Sequence, residues 1–115
     1  MKKVYLFYFA SAVAVNELDL RQKVEIVSEI NDADIVMAIC TSIPEKDTGD
    51  VGLLFKMISV FPNKDFIVVI GQGKMLYGKM KELHDIKNVK VVAVQNQKRP
   101  DGWYVHQLPI IVLPK

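Results

Sequence analysis

Four short apolar runs, set at intervals along the chain and separated by segments of helical periodicity, limit most sharply what this sequence can fold into. Lys3 to Phe9 is apolar on both alternating faces, with Val4, Leu6 and Tyr8 on one and Tyr5, Phe7 and Phe9 on the other. Asp34 to Cys40, Asp65 to Ile70 and Asn88 to Val94 repeat the pattern. A strand that is apolar on both faces has to be covered on both. Parallel sheets sandwiched between helices meet that condition, whereas half-solvated antiparallel sheets do not.

Between the runs, apolar residues recur at helical spacing. The periodicity predicts a helix from Asn16, its N-cap, to about Asn31, with Leu20, Val24, Val27 and Ile30 inward. A second helix carries Val51, Leu54, Phe55 and Ile58 on one face and stops at Pro62-Asn63. A third opens at Gly71-Gln72-Gly73, with Leu76, Met80 and Leu83 inward. Strand and helix therefore alternate, the mark of right-handed βαβ units. The predicted fold is one α/β domain over residues 1–115. It is a three-layer, flavodoxin- or Rossmann-like arrangement with a mostly parallel sheet of four to five strands in the order 2-1-3-4. The tail segments Trp103 to Leu108 and Ile110 to Leu113 are strand-like, with no helix between them and the fourth run. An antiparallel return at the C-terminal sheet edge suits them, because Pro109 and Pro114 are tolerated only there.

A chain of 115 residues can bury one core and is too short for two. No stretch reaches the roughly 18 apolar residues of a membrane-spanning helix, so no membrane partner is expected. Met1-Lys2-Lys3 followed by an apolar run has the outline of a secretory leader, and Ala10-Ser11-Ala12 and Ala12-Val13-Ala14 match small-x-small cleavage sites. On that reading residues 1–14 are removed and the protein is secreted. The aromatic character of the run, and the need for a first strand, favour a retained strand and a cytoplasmic protein. One cysteine, Cys40, allows no intramolecular disulfide and no multi-cysteine zinc site.

Charge is unevenly placed. Residues 15–50 hold nine acids against three bases, and residues 51–115 hold four acids against ten bases. Such polarity can orient an anionic ligand or favour head-to-tail self-association into a homo-oligomer. It also describes ordinary solvated helix faces. The bases form no arginine cluster or recognition-helix pattern, so nucleic-acid binding is not expected.

In an open α/β sheet, ligands bind outside the carboxyl ends of the strands. That edge comprises residues 10–15, 40–49, 71–74 and 95–99. Gly71-Gln72-Gly73-Lys74 follows a strand and opens a predicted helix, where backbone N–H groups and a lysine suit a phosphate. The segment lacks the spacing of a P-loop and the third glycine of a dinucleotide fingerprint, so it also reads as a strand end with a glycine cap, and no cofactor is expected. Cys40 reads as a buried small hydrophobe more readily than as a nucleophile. His84 and His106 lie elsewhere in the sequence, and no third ligand near them suggests a metal. Arg99, Trp103 and Tyr104 surround a turn and could stack on a base, although a lone tryptophan more often covers a core edge. Asp47-Thr48-Gly49-Asp50 precedes the second helix and offers several capping groups.

The run Asp32-Ala33-Asp34-Ile35-Val36-Met37-Ala38-Ile39, followed by Asp47-Thr48-Gly49 and a helix, resembles the nucleoside 2-deoxyribosyltransferase-like group of small Rossmann-type proteins. The likeness covers roughly residues 3–71 and includes the first strand. It implies a nucleoside or nucleotide ligand over the loops after the first two strands, and assembly into dimers or larger oligomers. That group's nucleophile is a glutamate in the first turns of the helix. The corresponding stretch here, Asp50-Val51-Gly52-Leu53-Leu54, has none, and Leu53 stands about where it would be.

Three functions follow as expectations. The first is a nucleotide- or nucleoside-binding protein, a degenerate relative of the transferases. Ser11, Thr41, Ser42, Asp47, Thr48 and Gly49 would meet sugar or base, and Gly71, Gly73 and Lys74 a phosphate. The second is a non-catalytic oligomeric interaction or scaffold protein. The third is an N-glycosyl hydrolase or transferase using Asp47 or Asp50 as its carboxylate.

Overall fold

Five strands lie side by side and all parallel in the computed structural model, which describes residues 1–10, 12, 15, 17–41, 49–98, 100 and 104–107. They are β1 (Lys3–Tyr8), β2 (Glu25–Val27), β3 (Ile35–Cys40), β4 (Asp65–Ile70) and β5 (Val89–Ala93), in the order β2-β1-β3-β4-β5. Helix α1 (Leu18–Lys23) precedes β2, and α2 (Gly49–Val60) joins β3 to β4. A 3₁₀ turn at Ile30–Asp32 leads into β3, and a 3₁₀ helix, Gly78–Asp85, leads into β5. The α/β class with a parallel sheet is as the apolar runs predict.

The order contains a correction. It reads 2-1-3-4-5, but the second strand is not the run that the sequence pointed to. Glu25–Val27, inside the predicted Asn16–Asn31 helix, takes the edge beside β1, with Lys3 opposite Glu25, Val4 opposite Ile26 and Tyr5 opposite Val27. Ile35–Cys40 moves to the centre, between β1 and β4. Helix α1 therefore lasts six residues. The physical reason lies in Val24-Glu25-Ile26-Val27, whose β-branched residues pack well on a pleated surface. Pairing this segment with β1 also satisfies backbone groups along one side of that strand, which a longer helix would leave open. Leu20 and Val24 still bury as the helical spacing requires, because the break comes after them.

Alternation along the strands builds one core on each side of the sheet. On one face Val36, Ala38, Cys40, Phe66 and Val68 pack against Val51, Leu54 and Ile58 of α2 and against Leu76, Met80 and Leu83. On the other, Val4, Ile35, Met37, Ile39, Ile67 and Val69 pack against Leu20, Val24 and Val94. Every residue of β3 is buried, as expected for a central strand covered on both sides. At the amino edge, Asp34 Oδ2 accepts the Lys3 N–H at 3.0 Å and Asn88 donates to the Lys64 carbonyl at 2.7 Å, tying strand starts together.

The third helix departs from its predicted bounds. Residues 74–77 are not helical, and winding begins at Gly78. Leu76, Met80 and Leu83 nevertheless all face the core. The tail forms β6 (Gln95–Lys98) and β7 (Tyr104–Gln107), an antiparallel pair in a separate two-stranded sheet rather than an added edge of the main one. Trp103 and residues 108–115 lie outside the described residues. Among those described, no helix is long and apolar enough to cross a membrane.

Candidate functional site

Helix α1 packs on one face of the sheet, whereas α2 and the 3₁₀ helix pack on the other. The winding therefore reverses between β1 and β3, the point at which open α/β sheets hold a ligand crevice outside the strands' carboxyl ends. Three segments meet at this edge. Phe9 donates its N–H to the Ile39 carbonyl at 3.1 Å, extending β1 past its last paired residue. Ala10 donates its N–H to Asp50 Oδ2 at 3.0 Å, so the first turn of α2 is pinned over the end of β1. Gly71, after β4, is buried beside Thr41, after β3; a Cβ at Gly71 would stand 2.8 Å from the Thr41 carbonyl oxygen and 2.9 Å from Lys74 Cγ.

This arrangement draws together Thr41, Gly71 and Lys74 from the residues the sequence suggested, and holds Gly49 and Asp50 at the start of α2. Thr41 is the one buried polar side chain among the described residues. Gly71–Lys74 is a turn closed by the Lys74 N–H on the Gly71 carbonyl at 3.0 Å, with Gly73 at φ +76°, a value that favours glycine. It is not a helix start, so the helix-terminus argument for phosphate binding at this turn does not apply. Ser11, Ser42, Asp47 and Thr48 lie outside the described residues, as do Asn16 and Arg99.

Close approach at Gly71 yields a prediction. Gly71→Ala forces a methyl group against a backbone carbonyl and should destabilise the fold by about 1–3 kcal/mol. Gly52→Ala, where nothing lies within 4 Å, should stabilise by roughly 0.5–1 kcal/mol because the site is an exposed helix interior. Urea unfolding of the two variants checks both signs.

Cys40 is fully buried, and burial, reinforced by the nearby Asp50 carboxylate, pushes its thiol pKa well up. Because the thiolate is the nucleophile, Cys40 is a core residue in chemical as well as steric terms. His84 is exposed on the 3₁₀ helix. Among the described residues, no group of three or more His, Cys, Asp or Glu is placed to hold a metal. Leu53, which occupies the position where the resemblance calls for a carboxylate, is 46% exposed on α2.

Two features escaped the sequence reading. Tyr8, at the end of β1, donates its hydroxyl to Glu17, which also accepts from Arg21 Nε at 3.0 Å and Nη2 at 2.6 Å. Burial first, then the hydrogen bond and charge of Glu17, push the Tyr8 phenol pKa up. The i, i+4 spacing of Glu17 and Arg21 was a signal for half of this cluster; Tyr8 joins it only through the fold. The second feature is a cleft of about 390 Å³ beside the carboxyl end of β4, lined by Ile70, Lys74, Met75, Leu76, Lys81 and His84. A larger notch of about 470 Å³ opens at the opposite, amino edge, between Asp34, Pro62, Lys64 and Asp65. Two of its charged groups are committed internally: Lys64 donates to the Ala33 carbonyl and Asp34 accepts from Lys3. That notch reads as a seam between strand starts.

No known protein family matches this sequence, and neither a curated protein nor a solved structure does.

Proposed function

We propose that the chain is a small nucleotide- or nucleoside-binding protein whose ligand lies over the carboxyl ends of β1, β3 and β4, against Thr41, Gly49, Asp50, Gly71 and Lys74. The reversal of winding between β1 and β3 carries this reading, since open α/β sheets hold their ligands at such a crevice. The base-displacing reaction of the resembling group is left out of the proposal. Displacement at an anomeric carbon needs a carboxylate free to attack or stabilise that carbon. One Asp50 oxygen is engaged by the Ala10 N–H, Leu53 supplies no carboxylate, and Asp47, the other carboxylate the sequence offers, lies outside the described residues.

Thermal unfolding with a panel of nucleosides and nucleotides at millimolar concentration tests the reading. A ligand present at about ten times its Kd should raise the Tm by roughly 5 °C. Asp50→Asn keeps an amide oxygen to accept from Ala10 and should bind like the parent, while Asp50→Ala should bind more weakly. A flat response to every member of the panel removes the reading. Release of free base from a nucleoside, abolished in Asp50→Asn, would replace binding with catalysis.

A further inference from the structure

The sequence Gly78 to Asp85 winds with the 3₁₀ period, in which residues three apart eclipse one another. Met80 and Leu83 form one row and are buried. Lys81 and His84 form the next, and both line the 390 Å³ cleft. Lys79, Glu82 and Asp85 form the third. An α-helix would put Asp85, four residues on, beside Lys81 and partly cancel its charge. The tighter winding keeps both acids off the row that lines the cleft, and among the described residues no acid lines it.

Lys74 reaches the same cleft from the turn after β4, and its stem occupies space that a side chain at Gly71 would fill. Ile70, Met75 and Leu76 supply apolar walls, and Met75 is 69% exposed. Four other cations are engaged elsewhere: Arg21 with Glu17, Lys3 with Glu25, Lys64 with a carbonyl, Lys79 over the Phe55 ring at 4.9 Å. Among the described residues, no side-chain hydrogen bond or ion pair engages Lys74, Lys81 or His84. The volume falls within the range of small-molecule sites. Two ammonium groups and an imidazole around one mouth suit a dianion better than a single negative charge.

We propose that this cleft receives a phosphate monoester carried on an apolar or aromatic body, with Lys74, Lys81 and His84 around the phosphate and Ile70, Met75 and Leu76 against the body. That the body is a nucleoside rests on the function proposed above; the cleft's preference for the phosphate does not. Lys81 and His84 are exposed, so their replacement leaves the core intact.

The test follows the His84 imidazole resonances by NMR, assigned by their loss in His84→Gln, during titration with adenosine, adenosine monophosphate and phenyl phosphate. The parent protein should bind the monophosphate about 10-fold more tightly than adenosine, and both phosphates should shift His84. In the double variant Lys81→Met, His84→Gln, confirmed to keep the parent Tm, that advantage should fall to about twofold or less. Equal binding of the monophosphate by parent and double variant overturns the cleft and leaves the nucleotide reading standing. A His84 shift with phenyl phosphate, but no binding of either nucleoside form, upholds the cleft and overturns the nucleoside body. No His84 shift with any of the three overturns the cleft outright.

Discussion

A chain that starts at Val15 should not refold: its thermal and urea profiles should lack a cooperative transition that residues 1–115 show. Strand β1 pairs along one side with β2 and along the other with β3, so it sits inside the sheet. Val4 is fully buried in one core and Phe9 is 2% exposed in the other. Removing residues 1–14 therefore leaves β2 without its neighbour, opens the hydrogen-bonding row of β3, and takes apolar groups from both faces at once. Native domains hold only about 5–15 kcal/mol of net stability. Loss of an interior strand exceeds that margin. Circular dichroism during urea titration of the two chains decides the matter. A truncated chain with an intact transition would mean that the segment is dispensable, as a cleaved leader is, and that the sheet closes without it.

Phe66→Ala should cost about 3–5 kcal/mol, a large share of the total. Phe66 is 1% exposed on β4, opposite Val36 of β3 and Val89 of β5. It lies in the core that also receives Leu54 and Ile58 of α2 and Met80 and Leu83 of the 3₁₀ helix. Truncation there opens a cavity beneath two layers of backbone, which rigid parallel strands cannot collapse to fill. Val60→Ala, at a site 57% exposed, serves as the comparison and should stay within about 0.5 kcal/mol. Urea midpoints with unchanged slope give both values. A cost below about 1 kcal/mol at Phe66 would show that the two-sided core is not packed as described.

Much of the fold was legible because its signal is local. A run such as Ile35–Cys40, apolar at odd and even positions alike, has no stable place except a covered strand, and all six residues are buried. Met80 and Leu83, three apart, point inward in an α- or a 3₁₀-helix, so their burial was readable although the winding was not. Leu20 and Val24 pointed inward for the same reason, while Glu25–Val27 was misread. There the helical spacing of Val24, Val27 and Ile30 competed with the β-branched character of Val24, Ile26 and Val27, and the open side of β1 decided between them. The candidate site was legible only as an edge. The turn glycine at Gly71 was visible, but its approach to the Thr41 carbonyl belongs to two segments thirty residues apart.

The amino-acid sequence alone determined the class of this protein: covered strands, amphipathic connections, a thiol with no partner, and an acidic half followed by a basic one. Tertiary structure alone decided which run became the central strand, that Asp50 pins the end of β1, and that Lys74, Lys81 and His84 share one cleft. Burial and periodicity act on each residue through its neighbours in the chain, so a sequence carries them. Strand order and clustered charge depend on which open hydrogen-bonding row or apolar face is nearest once the chain has collapsed, and that is a property of the whole.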